Sequence, residues 1–167
     1  AATAEAIATV EANVRSVTPG ARILRADSPV TLDDPDAVRG RRVVVVEDGP
    51  TVTHGSMSFG AGVVGARAAG AAEIVDARPS AVGSIAEAYA RHPHAAGVVP
   101  AMGYGEAQVR DLAATLEAVA ADVVVTGTPI DLRRVLALGK PIVRARYELR
   151  EREPGSLALL LEAVLPG

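Results

Sequence analysis

The sequence predicts an α/β fold with an open, mainly parallel sheet of roughly five strands and helices on both faces, a doubly wound and Rossmann-like arrangement. One reason is the uninterrupted run of valines from Val43 to Val46, because a strand without polar alternation is typically covered on both faces. A second reason is the order strand, loop, helix, which repeats after Arg42 as in βαβ units. A third is that loops bearing Gly, Pro or Asp follow the strands, which gathers polar residues at one edge of the sheet.

The first 40 residues do not show this repeat. Apolar residues recur at three- and four-residue intervals from Thr3 to Val17, which predicts an amphipathic helix. A short strand is predicted from Ala21 to Ala26, and the polar stretch from Leu32 to Gly40 is typical of an exposed connector. We therefore predict that residues 1–40 are the tail of a preceding domain plus a connector, and that residues 41–167 form an α/β C-terminal domain.

The repeat supplies short apolar strands that alternate with helical segments. The predicted strands are Val43 to Glu47, Glu73 to Asp76, Gly97 to Pro100, Asp122 to Thr126 and Pro141 to Arg146. The predicted helices are Gly60 to Ala69, Ser84 to Arg91, Gly105 to Val119, Leu132 to Ala137 and Ser156 to Val164. Right-handed crossovers between parallel strands place such helices on both faces of the sheet.

Composition excludes several classes of protein. The 167 residues contain no cysteine, so disulfides and thiolate metal sites are excluded and a cytoplasmic location is compatible. The net charge of -3 and the scarcity of aromatic residues argue against nucleic acid as a partner. No apolar run approaches the roughly 20 residues of a membrane span. We therefore expect a cytoplasmic protein that binds neither nucleic acid nor membrane.

The end of the first strand of the repeat carries the candidates for catalysis. Glu47 and Asp48 are adjacent, so their side chains point to opposite faces of an extended strand and do not form a simple carboxylate pair. We expect one of them to hold Mg²⁺ or a substrate hydroxyl and the other to orient the Gly-Pro turn. The next loop contains Thr53, His54 and Gly55, and its hydroxyls, backbone N–H groups and imidazole suit a phosphorylated ligand, although helix capping is an alternative. We predict Glu47, Asp48 and His54 as catalytic residues, and Thr53 and Gly55 as binding residues.

Two later strand ends carry further candidates. Gly103 permits close approach of the backbone to a ligand, and Tyr104 is placed to stack or to hydrogen-bond at the mouth of the site, although a plain tight turn explains both residues equally well. Thr128 and Asp131 follow the next strand, where they either cap a helix or accompany N–H groups that face an anion. We predict all four as binding residues and leave the metal ligands unassigned.

The glycines from Gly60 to Gly65 match the pattern GxGxxG, and Asp76 ends the next predicted strand, as the ribose-binding acid of a dinucleotide fold does. Twelve residues, Asp48 to Phe59, separate this pattern from its strand, whereas a dinucleotide fingerprint follows its strand at once. Close packing of the helix on the sheet is the favoured explanation. A dinucleotide site and a helix N-terminus that receives another anion are the alternatives.

Longer motifs give a more specific signal. In chain order they are VEDGPTVTHGSMSFGAG (Val46 to Gly62), IVDARPSAVGSI (Ile74 to Ile85), HPHAAGVVPAMGYG (His92 to Gly105), GTPIDLRRVL (Gly127 to Leu136) and KPIVRARYEL (Lys140 to Leu149). Through these motifs, most of the stretch from Arg42 to Glu151 resembles the C-terminal part of the cyclic 2,3-diphosphoglycerate synthetase family, which includes bacterial GTPase-like relatives.

The resemblance implies a function. The family couples hydrolysis of a nucleoside triphosphate, through a P-loop, to closure of an intramolecular phosphoanhydride in 2,3-diphosphoglycerate. For this chain it implies a ligase-type domain that binds a phosphorylated small molecule or nucleotide, with ATP or GTP and Mg²⁺ as cofactors. It also implies a nucleotide-binding region that precedes the chain, and residues 1–40 resemble the end of that region. Because no segment reads GxxxxGK[ST], we expect the chain to be inactive by itself.

Two other classes of function stay open. The first is a non-catalytic module that binds a nucleotide or a phosphorylated metabolite. The second is a dinucleotide-dependent oxidoreductase, which the GxGxxG pattern and Asp76 suggest weakly. A homo-oligomer is compatible with all three.

Overall fold

The computed structural model describes residues 2–48, 58–95 and 97–165. The helices of these ranges are α1 (Ala4–Val17), α2 (Ala61–Ala68), α3 (Gly83–Arg91), α4 (Glu106–Ala118) and α5 (Ser156–Val164). Short 3-10 turns span Arg78–Ser80, Pro93–Ala95 and Leu132–Arg134. The strands are β1 (Ala26–Asp27), β2 (Val30–Leu32), β3 (Arg42–Asp48), β4 (Glu73–Ile74), β5 (Val98–Ala101), β6 (Val123–Gly127), β7 (Ile142–Tyr147) and β8 (Arg150–Glu151). The chain divides into two compact units, which we call the terminal unit (Ala1–Pro29 and Glu148–Gly167) and the sheet unit (Val30–Tyr147).

The terminal unit contains α1, β1, β8 and α5. Helix α1 begins at Thr3, whose hydroxyl accepts a hydrogen bond from the Ala6 N–H at 3.2 Å and so satisfies one of the free amides of the first turn. Strands β1 and β8 pair antiparallel, with Ala26 opposite Glu151. None of the hydrophobic side chains described in this unit is buried.

The sheet unit is built on a six-stranded sheet in the order β2-β7-β6-β3-β4, with β5 also paired to β3. Strand β4 pairs with the first two residues of β3 and β5 pairs with its last four. The pairs β3–β4, β3–β5, β3–β6 and β6–β7 are parallel, as predicted. Strand β2 is antiparallel to β7, so the expected mainly parallel sheet of roughly five strands carries an additional antiparallel edge strand.

The valines of β3 pack into two separate cores because successive side chains point to opposite faces. Val44 and Val46 belong to a cluster with Leu112 and Leu116 of α4, and we call this side the α4 face. The opposite side, which we call the α2 face, carries Val43, Val45 and the buried residues Val63 and Ala66 of α2. Helices therefore lie on both faces of the sheet, as the apolar run of β3 predicted.

Three local predictions differ from the structure. The predicted helix from Leu132 to Ala137 is a single 3-10 turn, Leu132–Arg134. The predicted exposed connector contains Val38, which is completely buried in the core of the α2 face. The strand expected from Ala21 to Ala26 is limited to Ala26–Asp27.

Among the helices of the described ranges, none combines the length and the apolar character needed to cross a membrane.

The order of strands places a topological switch point at the carboxyl end of β3. From β3 the chain goes to β4 and β5, which both pair with β3, and then to β6, which also pairs with β3 and leads on to β7. Adjacent strands whose connections lead in opposite directions leave a crevice beyond their carboxyl ends. In this molecule that crevice lies where β3 and β6 end, with Glu47 in register with Gly127.

Candidate functional site

The ends of three strands meet at this edge of the sheet. Asp48 pairs in register with Ala101 of β5, and Glu47 pairs with Pro100 on one side and with Gly127 on the other. The residues that follow β5 and β6, among them Tyr104 and Thr128, therefore start from the same edge as Asp48. The convergence of these loops was predicted from the rule that parallel strands end together.

Glu47 fills the N-terminus of α2. Its side chain is 1% exposed. One carboxylate oxygen accepts hydrogen bonds from the N–H groups of Gly60 at 3.0 Å and Val63 at 2.9 Å, and the other accepts from Gly62 at 3.3 Å. Burial raises the pKa of this carboxyl group, and the three backbone hydrogen bonds oppose that effect.

Three glycines make room for this carboxylate. A Cβ atom at Gly60 would stand 2.6 Å from a Glu47 carboxylate oxygen, and one at Gly62 would stand 2.7 Å from Cγ1 of Val45. At Gly127, a Cβ atom would lie 2.6 Å from the backbone nitrogen of Gly62 and would also overlap Glu47. Close packing of the helix on the sheet, the favoured explanation of the glycine pattern, is therefore confirmed, and at Gly65 a Cβ atom would likewise lie 2.6 Å from Leu32. The N-terminus of the helix also receives a carboxyl group, and that group is a side chain of the chain itself.

The α4 face of the same edge has unsatisfied hydroxyl groups. Thr126 pairs in register with Val46, so its side chain lies on the α4 face, where it is completely buried. Within the described part of the chain, the hydroxyls of Thr126 and Tyr104 are buried and form no hydrogen bond. Buried hydroxyls without a partner are uncommon and costly, and they are often found where a ligand or an ordered water binds.

Asp48 and Thr128 lie beside the Tyr104 hydroxyl. Burial raises the pKa of Tyr104, the negative charge of Asp48 raises it further, and the neighbouring Thr128 side chain acts to lower it. The Thr128 hydroxyl lies near the Tyr104 hydroxyl but donates to the carbonyl of Ile130 at 2.8 Å, and no hydrogen bond of normal geometry joins Thr128 to Tyr104. The structure thus brings Asp48, Tyr104 and Thr128 together and adds Thr126, which the sequence analysis missed.

Asp131 is held by arginine. Both of its carboxylate oxygens accept hydrogen bonds from the Arg133 side chain, at 2.9 and 2.8 Å, and its side chain caps the 3-10 turn through the Arg133 N–H. This pairing with Arg133 lowers the pKa of Asp131 to about 2. Arg133 also binds Asp33 at 3.0 Å, and Asp33 in turn accepts from the Arg144 N–H at 2.8 Å. The position of Asp131 is therefore that of a capping residue in an ion-pair network, and its predicted binding role stays a prediction.

The other predicted residues divide into two groups. Gly103 lies in the turn before α4, where the Gln108 side chain folds back so closely that a Cβ atom on Gly103 would overlap it. Gln108 also accepts a hydrogen bond from the Gly105 N–H at 3.2 Å, which closes the turn. Thr53, His54 and Gly55 lie outside the described residues.

Neither a metal centre nor a dinucleotide site is evident among the described side chains. Within residues 2–48, 58–95 and 97–165 no group of three or more His, Asp or Glu residues is arranged to hold a metal ion. Asp76, the candidate ribose-binding acid, instead pairs with Arg78, which lowers the pKa of Asp76. At the N-terminus of α2, the position of a dinucleotide pyrophosphate is taken by the Glu47 carboxylate.

The chain is thus an α/β domain in which the unsatisfied hydroxyls of Tyr104 and Thr126 lie near the topological switch point of the sheet. Among curated proteins, the chain is similar to arginine synthetase ArcE of Thermococcus kodakarensis, with 50% identity over 153 residues. The matched stretch is 92% of this chain and 34% of that protein, so the chain spans about a third of the length of this relative. No family model matches the chain, and no solved structure does.

Proposed function

We propose that this chain is the part of an ATP- or GTP-dependent, ligase-type synthetase that holds a phosphorylated small molecule or a nucleotide at the α4 face of the sheet edge. The observation that carries the proposal is the pair of buried, unpaired hydroxyls of Tyr104 and Thr126 beside Asp48 and Thr128. Phosphate oxygens are acceptors, so they satisfy such hydroxyl donors. The similarity to a synthetase supports the class of reaction.

The roles of the residues follow from their positions. The hydroxyls of Tyr104 and Thr126 would each donate to an oxygen of the ligand, and a fixed donor contributes most where water is excluded. Asp48 is half-buried at the same edge, and its carboxylate suits Mg²⁺ bound through one carboxylate and the phosphates of the ligand. Bound ATP or GTP would supply the transferable phosphoryl group. Glu47 would act as a positioning residue that holds α2 to the edge, and Thr53, His54, Gly55, Gly103, Thr128 and Asp131 would complete the surroundings.

Two reactions are candidates for the longer protein. The motif resemblance favours closure of an intramolecular phosphoanhydride in 2,3-diphosphoglycerate. The 50% identity to arginine synthetase ArcE favours the synthesis of arginine. Both would use this edge to hold a phosphorylated species in place and to exclude water.

Calorimetric titration tests the binding proposal. The chain is titrated with ATP, GTP, 2,3-diphosphoglycerate, arginine and NAD, each in the presence of Mg²⁺. We expect at least one phosphorylated ligand to bind, and Tyr104→Phe to weaken that binding about tenfold or more, since a hydrogen bond to a charged group contributes about 1.5–3 kcal/mol. Tyr147→Phe, which alters an exposed tyrosine, is the matched control. Binding of NAD alone would overturn the proposal.

Turnover in the longer natural polypeptide separates the reactions. It is incubated with ATP and 2,3-diphosphoglycerate, and separately with ADP, phosphate and arginine, which are the product side of an arginine-forming synthetase, and the interconversion of ATP and ADP is followed in each mixture. A response to 2,3-diphosphoglycerate supports the first reaction, and one to arginine supports the second. Binding of phosphorylated ligands without any turnover would instead support a non-catalytic module.

A further inference from the structure

The terminal unit has apolar helices, but none of its described residues forms a buried core. Helix α1 places Ile7, Val10, Val14 and Val17 along one stripe, the spacing by which a helix buries one side against a partner. In this structure Val10 is 61% exposed and Val17 is 83% exposed. A patterned apolar stripe of this kind at the surface indicates a face that another element covers.

Helix α5 is also apolar and exposed, and its sequence is more apolar than that of α1. Its sequence SLALLLEAV is almost entirely apolar, yet none of its residues is buried. Leu159 is 69% exposed and Val164 is 67% exposed. An isolated helix of nine residues is marginal in water, so a helix this short and apolar depends on packing for its stability.

The surface next to α1 is shaped to receive an apolar partner. A groove of about 260 Å³ is lined by Ile7, Val10, Ile23 and Leu24, together with polar neighbours. Its charged neighbours are already paired, Glu11 with Arg25 at 2.6 Å and Asp27 with Arg152 at 2.7 Å. Paired charges offer little to a charged partner, so the groove favours an apolar side chain or helix face.

We propose that the terminal unit is the docking surface for a further region of the same polypeptide. The similar arginine synthetase ArcE has about two thirds of its length outside the matched stretch, because that stretch is 34% of it. A region of that size supplies the apolar partner that α1 and α5 lack. This inference rests on the exposed helices and on the length of the relative, and it does not depend on which ligand the sheet edge binds.

Hydrogen exchange in the longer natural polypeptide tests the docking surface. Leu161→Asp is compared with Val64→Asp, because both residues lie on helices and are similarly exposed here, at 43% and 41%. We expect amides of α1 and α5 to be protected in the unaltered polypeptide, and Leu161→Asp to speed their exchange about tenfold or more. Val64→Asp, on α2 of the sheet unit, should leave exchange in α1 and α5 unchanged. Leu161→Ala serves as a milder variant if Leu161→Asp fails to fold.

Three outcomes would overturn the inference. The first is exchange in α1 and α5 of the unaltered polypeptide as fast as in an unfolded chain. The second is protection that neither substitution of Leu161 reduces. The third is protection that disappears when the protein is diluted from dimer to monomer in light scattering, which would assign the surface to a second copy.

Discussion

The two faces of the sheet at its carboxyl edge differ in how completely their polar groups are satisfied. On the α2 face, the Glu47 carboxylate accepts three backbone hydrogen bonds from the first turn of α2. On the α4 face, two buried hydroxyls, those of Tyr104 and Thr126, have no partner among the described residues. Glu47 and Asp48 are neighbours on one strand. Glu47 thus lies on the face whose polar groups are satisfied, and Asp48 lies on the face whose hydroxyls are not.

This difference separates stability from binding. A group whose partners lie within the chain contributes to folding, and removing it leaves those partners unsatisfied. A buried hydroxyl without a partner costs folding free energy, and the cost is recovered when a ligand supplies the acceptor. Substitutions on the α2 face should therefore lower stability, and substitutions on the α4 face should lower affinity with little loss of stability.

The largest expected effect is that of Glu47→Ala. The substitution leaves three N–H groups at the start of α2 without an acceptor, two of them buried, and we expect the free energy of unfolding to fall by about 3–4 kcal/mol. Urea denaturation measures the change, with Asp48→Ala as the control on the half-buried neighbouring residue. Equal stability of the two variants would mean that the α2 face is no better satisfied than the α4 face.

Glu47 also gives a pH dependence with a defined sign. Burial raises the pKa of this carboxyl group above its ordinary value of 4.5, so the folded state holds the proton more tightly than the unfolded state does. Protonation of Glu47 therefore stabilises the fold fully at pH values below the pKa of this group in the unfolded state. That stabilisation is lost as the pH rises through the higher pKa of the folded state. We expect the difference in unfolding free energy between the natural chain and Glu47→Gln to shrink as pH rises from about 4.5. A difference independent of pH would contradict the raised pKa.

The next effect in size is that of Gly127→Ala. The added Cβ atom would lie 2.6 Å from the Gly62 nitrogen, and a backbone atom in a packed core moves little. We expect a loss of about 1–3 kcal/mol of stability, which is typical of overpacking. Gly20→Ala is the matched control, because nothing lies within 4 Å of a Cβ atom at Gly20. A loss as small as that of the control would mean that the residues packed around Glu47 can move to accommodate the added methyl group.

A pair of tyrosines compares a satisfied hydroxyl with an unsatisfied one. The Tyr89 hydroxyl donates to the Val98 carbonyl at 2.6 Å, so Tyr89→Phe should cost about 1 kcal/mol of stability. Tyr104→Phe removes a hydroxyl without a partner and should leave stability unchanged or slightly higher. Thermal unfolding of both variants measures the difference. An equal loss in the two would show that the Tyr104 hydroxyl has a partner in solution.

The smallest expected change in stability is that of Thr126→Val. The side chain keeps its shape and loses an unpaired buried hydroxyl, so stability should be unchanged or should rise by less than about 1 kcal/mol. Thr115→Val is the control, because the hydroxyl of that equally buried threonine accepts a hydrogen bond from the Val82 N–H at 3.2 Å. We expect the control to lose about 1 kcal/mol. A loss at Thr126 equal to that at Thr115 would argue against an incomplete site.

Much of the fold was predictable from the sequence. The apolar run of β3 and the repeated strand, loop, helix pattern predicted the parallel strands within a few residues and the helices on both faces. The antiparallel strand β2 was not predicted, because its three residues form a strand only by pairing with β7, over 100 residues further along the chain. The helix expected from Leu132 to Ala137 is only the 3-10 turn Leu132–Arg134, which Asp131 caps.

The site was predictable in part. Asp48, Tyr104 and Thr128 were expected together because parallel strands end at one edge, and the structure places them there. The capping role of Glu47 depends on contacts with Gly60 to Val63, 13 to 16 residues away, which no local pattern specifies. Thr126 was missed because it ends an apolar run, although a polar residue in a fully buried strand was a signal that could have identified it.

Titration with ATP, GTP and 2,3-diphosphoglycerate, each with Mg²⁺, decides whether the two unpaired hydroxyls bind the ligand. The natural chain is compared with a double variant, Tyr104→Phe and Thr126→Val, in the same calorimetric experiment, after thermal unfolding has verified equal stability. We predict that the natural chain binds at least one of these ligands and that the dissociation constant of the double variant for it is higher by about a hundredfold or more, since each of the two lost hydrogen bonds to a charged phosphate costs about 1.5–3 kcal/mol. The same dissociation constant for both proteins would mean that the unsatisfied hydroxyls contribute nothing to ligand binding, and the proposed binding site would then be wrong.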